Sequence, residues 1–260
     1  MSAHSLLDAL ADDGIAFGIP LRSPDPAIVE ICAIAGYDWV SISLEHSALT
    51  VREVATLQRA ADARHITTLV HVAGPDDPRI LALLDEGIGG VVAPHVTSAK
   101  EVEALVAETR FPPLGRRGAT SVTRRSDYGA RPLAQYLAEA DPLVAVGISI
   151  EDVEGVEHAE SILAVPGLTL AYVGLNDLTQ SLGRPGDFGN PAVGDAIRHV
   201  AERARASGVT LALSEKGFTL AELRDLGARM IVNAPAGEYS ALLDTLSARL
   251  DAARTTISAR

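Results

Sequence analysis

Val144-Ala-Val-Gly-Ile-Ser-Ile-Glu151 and Leu168-Thr-Leu-Ala-Tyr-Val-Gly-Leu-Asn-Asp177 are two short apolar runs, each followed by a carboxylate. Short runs rich in Val, Ile and Leu, with little polar alternation, are the pattern of strands covered on both faces. Between them, residues 156–164 carry apolar side chains at helical spacing. Strand, helix, strand is the unit of a parallel sheet, and it sets the C-terminal ends of its two strands side by side. Glu151 and Asp177 could therefore share one hard cation. Solvated acids at two loop starts are the plainer alternative.

On either side of this unit the pattern recurs. Candidate strands lie at 16–20, 39–43, 68–72, 90–93, 144–150, 168–173, 209–213 and 230–233. Helical patterns lie at 26–35, 51–63, 78–86, 99–109, 156–164, 191–207 and 220–226. Several of these stop at a glycine (Gly36, Gly87, Gly208, Gly227), as helices do when the chain turns left-handed at its end. Strands alternating with helices in this number predict an α/β fold, a (β/α)8 TIM barrel, as a single domain over residues 1–260. A doubly wound sheet is the rival, but no Gly-x-Gly-x-x-Gly turn follows the first candidate strand. Residues 110–142 interrupt the repeat with Pro112-Pro113, Gly115, Gly118 and Gly129, and only 132–140 reads as helix. An insertion of that length is expected at the active face. A closing helix is expected at about 237–255, with an apolar stripe over 242–250 that could pack on a neighbouring copy or cap its own barrel.

Composition narrows the function classes. The chain has 260 residues, 47% hydrophobic and 22% charged, which is globular; aromatics are only 4%, so Ala, Val, Leu and Ile must build the core. A net charge of −12 opposes binding to phosphate backbones and anionic membranes, and no basic cluster with interleaved aromatics offsets it. Neither a nucleic-acid nor a membrane partner is expected. Cys32 is the sole cysteine and sits among apolar neighbours, so it reads as core rather than as a thiol nucleophile. Neither a basic-then-apolar leader nor a run of membrane-spanning length is evident, and a cytoplasmic location is expected.

In a barrel, side chains at strand C-termini converge on one pocket. Here they are Arg22, the Ser43-Leu-Glu-His46 segment, His71, Pro94-His95, Ser149 with Glu151, Gly174 to Asp177, and Ser214-Glu-Lys216. Such a set suits a divalent cation held by oxygens, with a histidine free to move a proton. Zinc fits less well, because no close pair of His or Cys ligands accompanies the acids.

Six segments, in order, then resemble one family. They are Gly36-Tyr-Asp-Trp-Val-Ser-Ile-Ser-Leu-Glu-His46, Asp77-Pro78 with Leu84-Asp85-Glu86-Gly87, Val92-Ala-Pro94, Arg110-Phe-Pro-Pro-Leu-Gly-Arg-Arg-Gly118, Ile150-Glu151 and Gly174-Leu-Asn-Asp-Leu178. From about residue 6 to residue 250 the chain resembles the HpcH/HpaI aldolases, metal-dependent lyases that act on 2-oxo acids of the pyruvate type through a metal-bound enolate. The resemblance implies that Glu151 and Asp177 hold Mg2+, Mn2+ or Co2+. It implies that His46 manages, through water, the proton of the aldol hydroxyl, with Asp85 as its partner. It further implies that backbone amides of Gly174, Leu175 and Asn176 receive the substrate carboxylate, and that the protein is a homo-trimer or homo-hexamer exchanging C-terminal helices. The partners it implies are a 2-oxo acid and, for an aldol reaction, an aldehyde.

The departures are specific. His71 stands where the family carries an arginine that stabilises the enolate, Ser43 where it often has an Asp, and Ser149 where it has a Gln. A neutral imidazole is a weaker partner for a developing oxyanion than a guanidinium. Arg22, at a position where the family more often has a small residue, could supply the missing donor or simply lie on a solvated loop; Arg124 and Arg125 are alternatives. Three readings follow: a lyase with His71 or another cation in the arginine's place; related enolate chemistry, such as 2-oxo diacid decarboxylation or C–C bond formation in specialised metabolism; or a metal-binding protein without turnover. Lys216, one of only two lysines, adds a metal-independent rival through a Schiff base.

Overall fold

The computed structural model describes residues 14–233 and 236–258, with Leu6 and Leu10 before them. Eight parallel strands close into a barrel in sequence order, β1 pairing with both β2 and β8. The strands are β1 (Ala16–Leu21), β2 (Trp39–Ser43), β3 (Thr67–His71), β4 (Gly90–Ala93), β5 (Ala145–Ile150), β6 (Leu170–Val173), β7 (Thr210–Ser214) and β8 (Met230–Val232). Around and beyond them run α1 (Pro26–Ala35), α2 (Val51–Arg64), α3 (Ile80–Asp85), α4 (Ala99–Thr109), α5 (Leu133–Ala140), α6 (Val153–Glu157), α7 (Ala159–Leu163), α8 (Leu175–Ser181), α9 (Pro191–Ser207), α10 (Leu220–Asp225) and α11 (Glu238–Ser258).

Local chemistry accounts for most boundaries. Asp25 caps α1 by accepting from the Ala27 amide, Pro26 occupies its first turn, and Gly36 at φ 97° ends it. Thr50 and Glu53 form a reciprocal capping box on α2, and Thr219 with Glu222 does the same for α10. The segment 156–164, expected as one helix, is two short ones that break at His158. Residues 175–181 form a helix that the sequence reading left unassigned.

Strand alternation divides the core in two. Val40, Ile42, Val70, Val146, Ile148 and Ile150 face the helices, in one large apolar cluster. Trp39, Leu69, Val92, Leu170, Tyr172 and Met230 fill the barrel interior. Trp39 fits because Gly18 on the neighbouring strand has no side chain: a Cβ there would lie 2.1 Å from the indole ring. Cys32 is buried in the outer cluster, where burial pushes its thiol pKa up to about 11.

The segment 110–142 is not at the active face. It joins α4 to β5, and a connection from helix to strand returns to the N-terminal end of the barrel. Arginines fasten it there: Arg110 donates to the carbonyls of Asp141 (2.8 Å) and Val144 (3.0 Å), Arg125 donates to that of Ile88 (3.0 Å), and Arg124 pairs with Asp62. At the opposite end of the chain, α11 lies largely off the barrel, with Tyr239, Leu242, Leu243, Leu246 and Leu250 each more than half exposed.

Candidate active site

Period two along the strands sends Ser43, His71 and Ser149 to the inner row at the C-terminal rim, with Glu151 just past β5. Glu151 is 7% exposed. Its Oε1 accepts from the His95 amide at 2.8 Å and its Oε2 from the Ser149 hydroxyl at 2.9 Å. The carboxylate lies flat against Gly174, where a Cβ would come within 1.9 Å of Oε2. Burial, with a smaller push from the Asp177 charge, holds the Glu151 pKa above its ordinary value despite the His95 amide. Asp177 stands in the first turn of α8, within electrostatic reach of Glu151.

These oxygens fit a hard cation. Each Glu151 oxygen makes one hydrogen bond and keeps lone-pair capacity, and two charged carboxylates crowded at one rim are stabilised by an ion between them. Among the described residues no cluster of three or more His, Cys, Asp or Glu side chains could hold a metal.

Histidines ring the acids. The His46 side chain is 62% exposed, its Nε2 3.6 Å from Glu45 Oε1, and its amide donates to the Ser43 hydroxyl at 2.9 Å. His95 adopts a left-handed backbone, φ 51°, and its Nδ1 lies 3.0 Å from Asp152 Oδ2 while its Nε2 lies 3.8 Å from the same Glu45 oxygen. Glu45 thus stands between two imidazoles. The sequence puts Glu45 and His95 at strand ends without marking either as a site residue, and gives no sign of Asp152; the signal for His95 is its place two residues after β4. His71 packs edge-on to Tyr172, ring centroids 5.2 Å apart, and burial together with the His46 charge pushes its pKa down to about 4. It is neutral at physiological pH.

Other candidates fall elsewhere. Asp85 is not brought to His46 within this chain: α3 runs antiparallel to the strands, so its last residue points to the barrel's N-terminal end. There the carboxylate meets Arg117 at 3.0 Å, a side chain with no exposure that also reaches the Tyr136 hydroxyl at 3.2 Å. Arg124 and Arg125 share that end and lie far from the rim. Arg22 is at the rim, but on the β7–β8 side: its Nη1 lies 3.0 Å from where a Gly237 Cβ would be, and its charge acts on Lys216. No hydrogen bond joins it to His71. The Gly174 amide donates to the Ile150 carbonyl (3.1 Å), which leaves the Leu175 and Asn176 amides, without acceptors among the described residues, as the donors open to a carboxylate. Lys216 Nζ donates to Asn176 Oδ1 at 2.7 Å.

A family model, that of the HpcH/HpaI aldolase/citrate lyase family, matches residues 17–234. The chain belongs to this family. Within it, the chain is 36% identical over 206 residues to a 4-hydroxy-2-oxovalerate aldolase of Rhodococcus jostii, covering 79% of each chain. It is 33% identical over 201 residues to a hydroxypyruvate/pyruvate aldolase of Cupriavidus necator, covering 77% of this chain and 74% of that one. Among solved structures, citrate synthase SbnG superimposes with a TM-score of 0.87 at 31% identity, covering 97% of this chain and 98% of the other. Membership makes the protein an enzyme of the carbon–carbon lyase class, an aldolase. Among the described residues, no helix is long and apolar enough to cross a membrane.

Proposed function

We infer that the protein cleaves a 4-hydroxy-2-oxo acid to pyruvate and an aldehyde, and runs the reverse addition, with a divalent cation, Mg2+ or Mn2+, held by Glu151 and Asp177. The observation that carries this reading is the buried Glu151 carboxylate, pinned by the His95 amide and Ser149 hydroxyl against Gly174 and set beside Asp177. When bound, the cation would polarise the 2-oxo group and favour the enolate form of pyruvate. The amides of Leu175 and Asn176 receive the C1 carboxylate. His46, exposed to the pocket and steadied by Glu45, takes the C4 hydroxyl proton through water as the C3–C4 bond breaks, and the electron pair passes to C3. His71, neutral in the inner row, offers a hydrogen bond where the family uses an arginine. Within this chain Asp85 pairs with Arg117, and this reading gives it no part in the proton step. Lys216 donates to Asn176, and this reading routes no Schiff base through it.

Similarity to a citrate synthase supports a second reading in which the same enolate is used to form a C–C bond. The exposed leucines of α11 support a homo-oligomer, trimer or hexamer, in which that helix packs on a neighbour, and the acidic chain is proposed to work in the cytoplasm.

The test is Glu151→Gln and Asp177→Asn, read by calorimetric Mn2+ titration and by pyruvate release from 4-hydroxy-2-oxopentanoate. Both variants are expected to fold, to lose tight Mn2+ binding and to lose pyruvate release. Full turnover in excess EDTA, or unchanged Mn2+ affinity in both variants, would remove the reading.

A further inference from the structure

A cavity of about 600 Å³ opens at the end of the barrel opposite Glu151 and Asp177, a size that holds a small organic molecule. Thr68 of β3, Gly89 before β4, Ala145 of β5 and Thr169 before β6 line it from the barrel, and the 110–142 segment lines it from outside. Ile66, Ile88, Leu143, Val144 and the Tyr136 ring give it an apolar surface. Arg110 and Arg125 line it as well, and both donate to carbonyl oxygens: Arg110 to those of Asp141 (2.8 Å), Val144 (3.0 Å) and Gly167 (3.4 Å), Arg125 to those of Ile88 (3.0 Å) and Ala140 (3.3 Å). Among the described residues neither guanidinium has a carboxylate within ion-pairing distance, because the acids at this end are engaged elsewhere. Asp62 pairs with Arg124 and Asp85 with Arg117, while Asp141 Oδ2 accepts from the Phe111 amide at 3.0 Å. Arg131, Asp127 and Glu139 pair with one another nearer the solvent. Burial and the Arg117 charge pull the Arg125 pKa down to about 10, and burial lowers that of Arg110 against the pull of Asp141. Four buried or half-buried guanidiniums thus share three carboxylates, a local positive surplus in a chain of net charge −12.

We propose that this cavity is a ligand site for an organic monocarboxylate with an apolar body, held by Arg125 and Arg110. A buried cation without a carboxylate is costly, and an anion brought in from outside meets that need. A guanidinium carries five N–H groups, so the two bonds of Arg125 and the three of Arg110 leave donors over, in a planar fork that matches a carboxylate. The apolar wall favours a hydrocarbon body over a bare ion, since burial of such a body is favourable in proportion to its area. The cavity shares no residue with the rim that carries Glu151, Asp177 and His46, so a ligand here needs nothing from the aldolase reading.

Calorimetric titration of the full chain with 4-phenylbutanoate and with its neutral isostere 4-phenylbutanamide tests this, with no metal added. Charged hydrogen bonds of this kind correspond to binding of the carboxylate by the wild type that is roughly 10-fold or more tighter than that of the amide. Arg125→Met is expected to remove most of that ratio. Leu143→Glu changes a wall residue that is 53% exposed and cuts none of the fastening hydrogen bonds. It is expected to weaken carboxylate binding with the amide little affected, and it decides the matter if Arg125→Met does not fold. Arg22→Ala combined with Lys216→Met is expected to keep the ratio, because those cations lie at the other end of the barrel. Absence of saturable carboxylate binding by the wild type, equal affinity for the amide, or a ratio unchanged in either folded cavity variant would overturn the assignment. A ratio lost only in the rim double variant would place the ligand at the rim and overturn it equally. Inorganic phosphate binding as tightly as 4-phenylbutanoate would mark a bare anion site and do the same.

Discussion

A neutral His71 gives the barrel a pH signature. Its pKa, about 4 in the folded protein, stands below the ~6.5 of an imidazole in the unfolded chain. Between those values the unfolded state binds more protons, so this contribution to stability is fully present above about pH 6.5 and is lost as the pH falls through the folded value. Urea unfolding of the wild type and His71→Gln should show a wild-type advantage that shrinks as the pH is lowered from about 7 to about 4. An advantage constant across that window would mean that His71 titrates normally. His46 differs in being open to solvent, with Glu45 beside its ring. His46→Ala should lower cleavage by about 10²–10⁴-fold, the usual worth of general acid–base help, with Mn2+ affinity little changed. A loss of only a few-fold would shift the proton-handling role to His95.

Among the elements, α3 and the segment after α4 separate structural from chemical roles. Arg117 is wholly buried, with Asp85 as its carboxylate partner, beneath Tyr136 and over the Phe111 ring at 4.6 Å. Removing that carboxylate leaves a buried charge uncompensated, which costs about 3 kcal/mol or more. Asp85→Ala is therefore expected to lower the unfolding free energy by about that amount. Activity per folded molecule should fall far less than in His46→Ala. If denaturation midpoints match the wild type while turnover collapses, Asp85 belongs to the chemistry after all. The motif that carries Asp85 and the Arg-Arg-Gly118 motif were visible in the sequence, yet the partnership between them was not, because it depends on which barrel end each loop reaches.

At the scale of the whole molecule, α11 is the part that does not complete itself. A helix of 21 residues with six large apolar side chains more than half exposed has too little packing on its own barrel to explain its sequence. Ile31 and Ile34, at 58% and 72% exposure on α1, are a further apolar patch that a neighbouring copy could cover. In the proposed homo-oligomer, Leu243→Asp combined with Leu246→Asp should give a monomer in sedimentation velocity while the far-ultraviolet spectrum of the barrel persists. An unchanged oligomer would place the interface elsewhere.

The barrel itself was legible in the chain. Strand and helix periods, the Asp25, Thr50 and Thr219 caps and the Gly36 and Gly208 stops are written within a few residues of where they act, so β2, β4, α1, α4 and α9 fall where the pattern put them. The rim carried by strand ends followed from the same logic, and Glu151 lies within electrostatic reach of Asp177 because adjacent parallel strands end together. What the tertiary structure alone decided is who faces whom. It sets the Arg22 charge within reach of Lys216 with no hydrogen bond to His71, turns Asp85 to Arg117, aims the His95 amide at Glu151 and moves residues 110–142 to the far end of the barrel. Periodicity is a property of neighbours in sequence; counter-ions and cavities are chosen across distances the chain spans only once it has closed.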